Sequence, residues 1–162
     1  MSSLNSSIPC TLAVALGANL PSSEGPPAST LIKIRPILEK LIYEWVKSLP
    51  EEENEEKKTE DTLFWNWSPL FETEPVGGPP NQPPFINAVL LVEGEQLKKV
   101  TPSEPAALNL LDRFLYLEKE FGRKRNSSTR WGPRSLDIDF LWWGALHIKK
   151  DALILPHPRL IE

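Results

Sequence analysis

Apolar residues recur along the chain with two different periods, and the switches between them mark out the elements. Residues 11–16 (TLAVAL) are a short apolar run closed by Gly17, which predicts a buried strand leading into the loop GANLPSSEGPP. Leu31, Ile34, Leu38, Leu41, Ile42 and Trp45 follow at spacings of three and four, one face of a helix with Ser29 or Thr30 as N-cap. Pro36 falls inside that stripe and has no amide hydrogen, so the helix is expected to start late or to kink there. Residues 62–73 (TLFWNWSPLFET) are dense in aromatics and interrupted by Pro69, which suits a sheet edge or a strand broken by a bulge. In FINAVLLVEG the period of two puts Phe85, Asn87, Val89 and Leu91 on one side of a further strand. Leu108, Leu111, Leu115 and Glu118 form a second helical stripe, capped by Ser103 and ended by Gly122, with Glu118 as its polar break. SLDIDFLWWG reads as the last strand, before a turn near His147 and the ending LILPHPRLIE. The order strand, helix, strand, strand, helix, strand predicts an α+β, ferredoxin-like sandwich: a mostly antiparallel sheet with its helices on one face.

Composition narrows the class. A chain of 162 residues, 40% of them hydrophobic, supports one core, so residues 1–162 are read as a single domain. No apolar run reaches the roughly 18–20 residues of a bilayer span, and MSSLNSSIPC resembles neither a secretory signal nor a transit peptide. Cys10 is the single cysteine, which excludes an intrachain disulfide and a thiolate metal cluster. The expectation is a cytoplasmic monomer without membrane or nucleic-acid partners. Net charge is −4, but the acidity is local: residues 51–61 hold seven acids and two lysines. That stretch, about 50–61, is read as a solvated surface insertion that buries little, so that deleting 51–60 leaves stability nearly unchanged. Five of the 17 prolines fall within residues 75–84 and stiffen one loop around Gly77 and Gly78.

Candidate chemistry lies at the end of the pattern. Alternation places Asp137 and Asp139 on one face of their strand and Leu136, Ile138 and Phe140 on the other. Two carboxylates roughly 7 Å apart along a strand call for a cation, either Mg²⁺ shared with phosphate oxygens or the guanidinium of Arg130 or Arg134. The segment before them, RKRNSSTRWGPR, carries five basic side chains and no acid, which suits a polyanion as well as a solvated loop. Neither a P-loop nor a G-x-G-x-x-G turn occurs, so side-chain cations and metal must hold any phosphate. Phe85 and Asn87 set a flat aromatic beside an amide, a pair able to recognise a flat heterocycle, or else a core ring and a turn asparagine. His157, alone between two prolines, is by itself a packing or surface residue.

Together the strings ALGANL, FETEPVGGPPNQPPFINAV, LEKEFGRKRNSSTRWGPRSLDIDFLWWG and LPHPRL, in this order, resemble the 6-hydroxymethyl-7,8-dihydropterin pyrophosphokinases of folate biosynthesis. The resemblance covers most of the chain outside residues 44–62, and WGPRSLDIDFL is its most specific part. It implies transfer of pyrophosphate from ATP, the co-substrate, to the hydroxymethyl oxygen of the dihydropterin, with two Mg²⁺ ions. By the family's pattern Asp137 and Asp139 bridge the metals, Arg125 and Arg134 meet the phosphates, and Arg123 and Arg130 lie on a loop that closes over them. The catalytic set is then Asp137, Asp139, Arg123, Arg125 and Arg134, with the hydroxyl proton passing to Asp137 or to solvent. Thr73, Val76, Phe85, Asn87 and Trp131 would line the pterin site. Arg125, Arg130, Trp131, Arg134, Phe140, Ile154 and His157 would hold ATP, and Glu118 has a supporting role. The pattern continues beyond the PHPR segment with an arginine and a second pterin-stacking aromatic, which this sequence does not contain. Weakened binding and slow turnover are therefore expected, and a non-catalytic pterin- and ATP-binding relative is the nearest alternative. An RNA-binding ferredoxin-like module is the other, although it lacks the aromatic RNP1 string.

Overall fold

In the computed structural model, which describes residues 9–52, 60–124 and 131–161, the first apolar run forms β1 (Leu12–Ala18). It runs past its predicted end because Gly17 and Ala18 still find strand partners. α1 (Pro27–Ser48) begins earlier than the apolar stripe, with Pro26 as N-cap and Pro27 in its first turn. Proline needs no amide partner there and its fixed φ suits the start, so the predicted caps Ser29 and Thr30 lie inside the helix. Thr30 instead hydrogen-bonds with the Ser22 hydroxyl, 2.7 Å away. Pro36 neither delays nor interrupts α1: it shares the solvent side with exposed Ile32, Lys33 and Ile37, where the carbonyl left unpaired meets water.

β2 (Phe64–Trp67) and β3 (Phe71–Thr73) are one edge strand broken around Pro69, and both pair with β4 (Phe85–Glu93). A single-turn helix, α2 (Glu95–Lys98), was not predicted. α3 (Glu104–Glu120) takes its cap from Ser103, whose Oγ accepts the Ala106 amide at 3.3 Å. Its core face is Ala107, Leu110, Phe114 and Leu117, one residue out of phase with the predicted stripe; Leu108, Leu111 and Leu115 are only half-buried. β5 (Asp137–Trp143) follows, then a short hairpin of β6 (Ile148–Lys149) and β7 (Ile154–Leu155), and a 3₁₀ turn over Pro158–Ile161.

The main sheet has the order β2-β4-β1-β5, with β3 also on β4 and every pairing antiparallel. Counting β2 and β3 as one strand gives the ferredoxin-like arrangement. Leu12, Val14, Leu16 and Ala18 of β1, with Ala88, Leu90, Val92, Ile138 and Phe140 beside them, face α1 and α3 and form the core. The opposite face is open. β5 carries a bulge: the register steps from Val14–Phe140 to Ala13–Trp142 and skips Leu141. Trp143 rather than Trp142 therefore turns inward, meeting Trp45 edge-on with centroids 4.8 Å apart, while the Leu141 carbonyl accepts the His157 amide at 2.7 Å. Among the described residues no helix is long and apolar enough to cross a membrane.

The acidic stretch is not wholly free of the fold. Glu51 bridges to Val100, the Glu52 amide donates to the Lys99 carbonyl at 2.8 Å, and Asp61 pairs with Lys47 and Lys99. Glu51 Oε1 also accepts Nε2 of the fully buried Gln96 at 2.9 Å. Residues 53–59 lie outside the described residues. The expectation that 51–60 is dispensable is thus corrected at its start. Glu51→Ala is expected to destabilise the chain by about 1–3 kcal/mol, because it leaves a buried amide donor unpaired; urea unfolding at neutral pH checks this.

Candidate functional site

On the open face the strand register lines up chemically distinct residues in rows. Asn87 on β4 and Asp137 on β5 both stand opposite Gly17 on β1, so the amide and the carboxylate are two strand spacings apart, about 10 Å, with no side chain between them. The next row pairs Ala15 with Asp139, and at the sheet edge Thr73 pairs with Phe85. A Cβ on residue 17 would come within 3.2 Å of Asn87 Oδ1 and 3.8 Å of the Phe85 ring, which explains the glycine. Asn87 Nδ2 is held by Thr73 Oγ1 at 2.8 Å, and its Oδ1 is left towards Gly17 as an acceptor.

Asp137 is the charge centre. Its Oδ1 accepts Arg123 Nη1 at 2.5 Å and its Oδ2 accepts Arg134 Nη1 at 3.0 Å. Arg123 is shared with buried Glu118 at 2.7 Å, and Glu118 Oε1 also accepts the Ile138 amide at 2.9 Å. Glu118 thus joins the end of α3 to β5, which gives its break in the helical stripe a purpose. Among the described residues no ion pair reaches Asp139. Burial, and then the charge of Asp137, push its carboxyl up to about 7, with Arg134 opposing. The predicted aspartate–arginine pairing is therefore real for Asp137 with Arg134, while Arg130, like Arg125, lies outside the described residues. Asp139 is thus a carboxylate whose proton is held up to near neutrality by burial and by the neighbouring charge. Among the described residues no group of three His, Cys, Asp or Glu side chains forms a metal cage. Two hard carboxylates, one lacking a cationic partner, suit a Mg²⁺ that takes its remaining oxygens from water and phosphate.

Two loops meet across the cleft through residues that the sequence did not single out. Asn19, 3% exposed, accepts the Arg134 amide on Oδ1 at 2.8 Å and donates from Nδ2 to the Pro83 carbonyl at 3.1 Å. Gln82 Nε2 donates to the Trp131 carbonyl at 3.0 Å and to the carbonyls of Gly77 and Pro79. The proline-rich loop is therefore tied to Trp131 and Arg134 rather than standing apart from them. The resulting cleft, about 180 Å³, is lined by Thr73, Glu74, Val76, Phe85, Asn87, Trp131, Arg134, Arg159 and the two aspartates over the Ala15–Gly17 floor.

A second groove of about 640 Å³ lies on the far side of the aspartates. Its apolar wall is Leu108, Leu111 and Leu115 of α3, facing Leu153 and Ile154, with Arg123 and His157 at its polar end. The out-of-phase leucines thus line a groove, with Leu108 and Leu111 also packed against the core. His157 is half-buried; burial and then Arg159 push its pKa down, so it is neutral at pH 7. Phe140 also lines the groove: it is 2% exposed and packed edge-on to Phe114, 5.9 Å between centroids, so it meets the groove from the core side. Arg134, Asp137 and Asp139 line both cavities and form their common wall. Sequence reasoning missed Asn19, Gln82, Glu74 and Arg159, although all four sit inside strings that carried the resemblance: N in GANL, Q in NQPP, the second E in FETEP and R in LPHPRL.

Comparison with known proteins agrees with this geometry. The sequence model of 7,8-dihydro-6-hydroxymethylpterin-pyrophosphokinase matches residues 13–162. The chain is 36% identical over 95 residues to the 2-amino-4-hydroxy-6-hydroxymethyldihydropteridine pyrophosphokinase of Bacillus subtilis, covering 59% of this chain and 50% of that protein. It is 43% identical over 93 residues to a folate synthesis bifunctional protein of Arabidopsis thaliana, covering 57% of this chain and 17% of that protein. A third relative, the pyrophosphokinase of the same name from Haemophilus influenzae, is 37% identical over 90 residues, 56% of this chain and 49% of its own length. The chain thus spans about half the length of the single-function relatives it matches, and far less of the bifunctional one. With a ferredoxin-like sheet, an aspartate pair on its open face and a family match over almost its whole length, the chain belongs to the 7,8-dihydro-6-hydroxymethylpterin-pyrophosphokinase family.

Proposed function

We propose that the chain transfers the β,γ-pyrophosphoryl unit of ATP to 6-hydroxymethyl-7,8-dihydropterin, giving AMP and the pterin diphosphate, with two Mg²⁺ ions. The observation that carries this reading is the common wall. A narrow cleft with an aromatic ring and an amide acceptor, and a larger groove with an apolar wall, meet at Asp137, Asp139 and Arg134. Two substrates entering from opposite sides meet at a carboxylate pair. In the transfer the hydroxymethyl oxygen bonds to the β-phosphorus, the bond from that phosphorus to the oxygen bridging to the α-phosphorus breaks, and AMP leaves with that oxygen. Bound Mg²⁺ supplies charge neutralisation at the phosphates and lowers the cost of deprotonating the hydroxyl. The protein's own work is positioning. Phe85 stacks on the pterin, Asn87 Oδ1 accepts from a ring N–H, and Arg134, backed by Asn19, offsets charge moving to the leaving group. The hydroxyl proton passes to a carboxylate of the aspartate pair or to solvent.

The test is AMP formation from ATP, expected only when pterin and Mg²⁺ are both present; ADP as product, or AMP release indifferent to pterin, would sink the proposal. A finer expectation follows from the Arg123–Asp137 contact, where a guanidinium occupies the carboxylate oxygen that a metal would use. Arg123→Gln should bind Mn²⁺ alone more tightly than the wild type but bind Mg–ATP more weakly, since it removes both a competitor and a phosphate partner. Manganese titration by electron paramagnetic resonance, beside nucleotide calorimetry, checks for those opposite signs.

A further inference from the structure

We infer that Arg159 is a positioning residue that seats the Trp131 indole over the cleft. Its guanidinium carbon lies 3.8 Å from the centroid of the Trp131 ring, well inside the roughly 6 Å at which a cation is drawn to the face of an indole. Trp131 needs such a hold. Its φ of +67° is in the left-handed region, which is strained for a side-chain-bearing residue and persists only where the surroundings fix it. Gln82 holds the Trp131 carbonyl, and Arg159 holds the ring.

The cation stands on a fixed support. Its amide donates to His157 Nδ1 at 3.3 Å, and the His157 amide donates to the Leu141 carbonyl that the β5 bulge leaves free. Among the described residues no carboxylate forms an ion pair with Arg159, although Glu74, Asp137 and Asp139 line the same cleft. Among the described residues, the Trp131 ring is the aromatic face that the guanidinium covers. The contact joins the segment after β7 to the opposite rim and closes the cleft between them. Planar guanidinium on planar indole also gives a geometry that an ammonium reproduces only in part.

For its effect on substrate the inference rests on the proposed pterin site; for the state of Trp131 it does not. Two measurements separate these. Acrylamide quenching of Trp131 in the ligand-free chain, taken as the difference between wild type and Trp131→Phe, should rise in Arg159→Gln and return partway in Arg159→Lys. In pterin binding, Arg159→Gln should lose about 3- to 10-fold in affinity, but should lose nothing further in a Trp131→Ala background, with melting temperature unchanged. Unaltered quenching in Arg159→Gln, or a full additional loss of affinity on top of Trp131→Ala, would overturn the inference, the latter by showing that Arg159 acts on the ligand directly. A chain that binds no pterin would refute the proposed function, and the quenching result would still decide the role of Arg159.

Discussion

Asp139→Asn is expected to lower Mg²⁺-dependent turnover by more than about 100-fold, since losing a ligand should cost more than the 10- to 100-fold typical of groups that merely support one. The same variant should melt higher than the wild type at pH 8 when metal-free. The sign follows from the raised carboxyl: with a folded pKa of about 7 against an ordinary 3.8, the folded chain keeps a proton that the unfolded chain has released. Stability is therefore lost as pH rises through the window between roughly 4 and 7, and the deficit persists above it. Asparagine removes the titrating group, so the advantage of the variant should be full at pH 8 and vanish near pH 4. Asp137→Asn should differ in sign, because it strips Arg123 and Arg134 of a shared carboxylate and lowers stability at pH 8. Paired melting curves at the two pH values, with turnover assays, test this; a destabilised Asp139→Asn at pH 8 would contradict it.

Gly78→Ala is expected to weaken pterin binding by more than about tenfold, the equivalent of 1.4 kcal/mol. The residue sits at φ +77°, and a Cβ there would lie 2.2 Å from the Trp131 carbonyl oxygen and 2.6 Å from Gln82 Nε2. One of those atoms is backbone, so the two loops must part. Gly77→Ala is the internal comparison: it shares the left-handed backbone, at φ +73°, but its Cβ would meet Trp131 only at an ordinary 3.9 Å. Its loss should be the smaller by several-fold in the same calorimetric titration, because it carries the conformational strain without the collision. Equal effects would mean that strain alone governs this loop.

Periodicity made β4 and β5 legible because each is buried on one side and only partly covered on the other, while β1, buried on both, showed as a continuous apolar run. Ile138 and Phe140 against Asp137 and Asp139, or Ala88 and Leu90 against Asn87 and Val89, are alternations that only a half-covered strand produces. Ser103 was legible as a cap because its hydroxyl satisfies a local amide, whereas the start of α1 was misread because two prolines replace the polar cap there. The shifted face of α3 has a different cause. Leu108, Leu111 and Leu115 line a groove at the margin of the core, and hydropathy does not distinguish a groove wall from a core. Two-residue strands such as β6 and β7 are too short to show a period at all. Polar contacts across long separations, Gln96 with Glu51 or Asn19 with Arg134, leave no periodic trace either. At the site, Thr73, Val76, Phe85, Asn87, Trp131, Arg134 and both aspartates are brought together as the motifs implied. Gly77 and Gly78, placed by the sequence in a proline-stiffened loop, are left-handed, at φ +73° and +77°, with Gly78 close against Trp131.

Because Gly17 separates Asn87 from Asp137, the two halves of the site are neighbours only through β1, which pairs with strands some 70 and 120 residues further along the chain. Those closures are the most non-local in the fold and carry the largest loop-closure cost, so they belong to the late, rate-limiting part of folding. No fragment containing only α3 and β5, or only β2 to β4, presents the carboxylates opposite the ring-reading amide. Ligands that touch both halves therefore bind the globally folded state alone, and raise the protection of the slowest-exchanging amides of β1 along with that of the loops they contact.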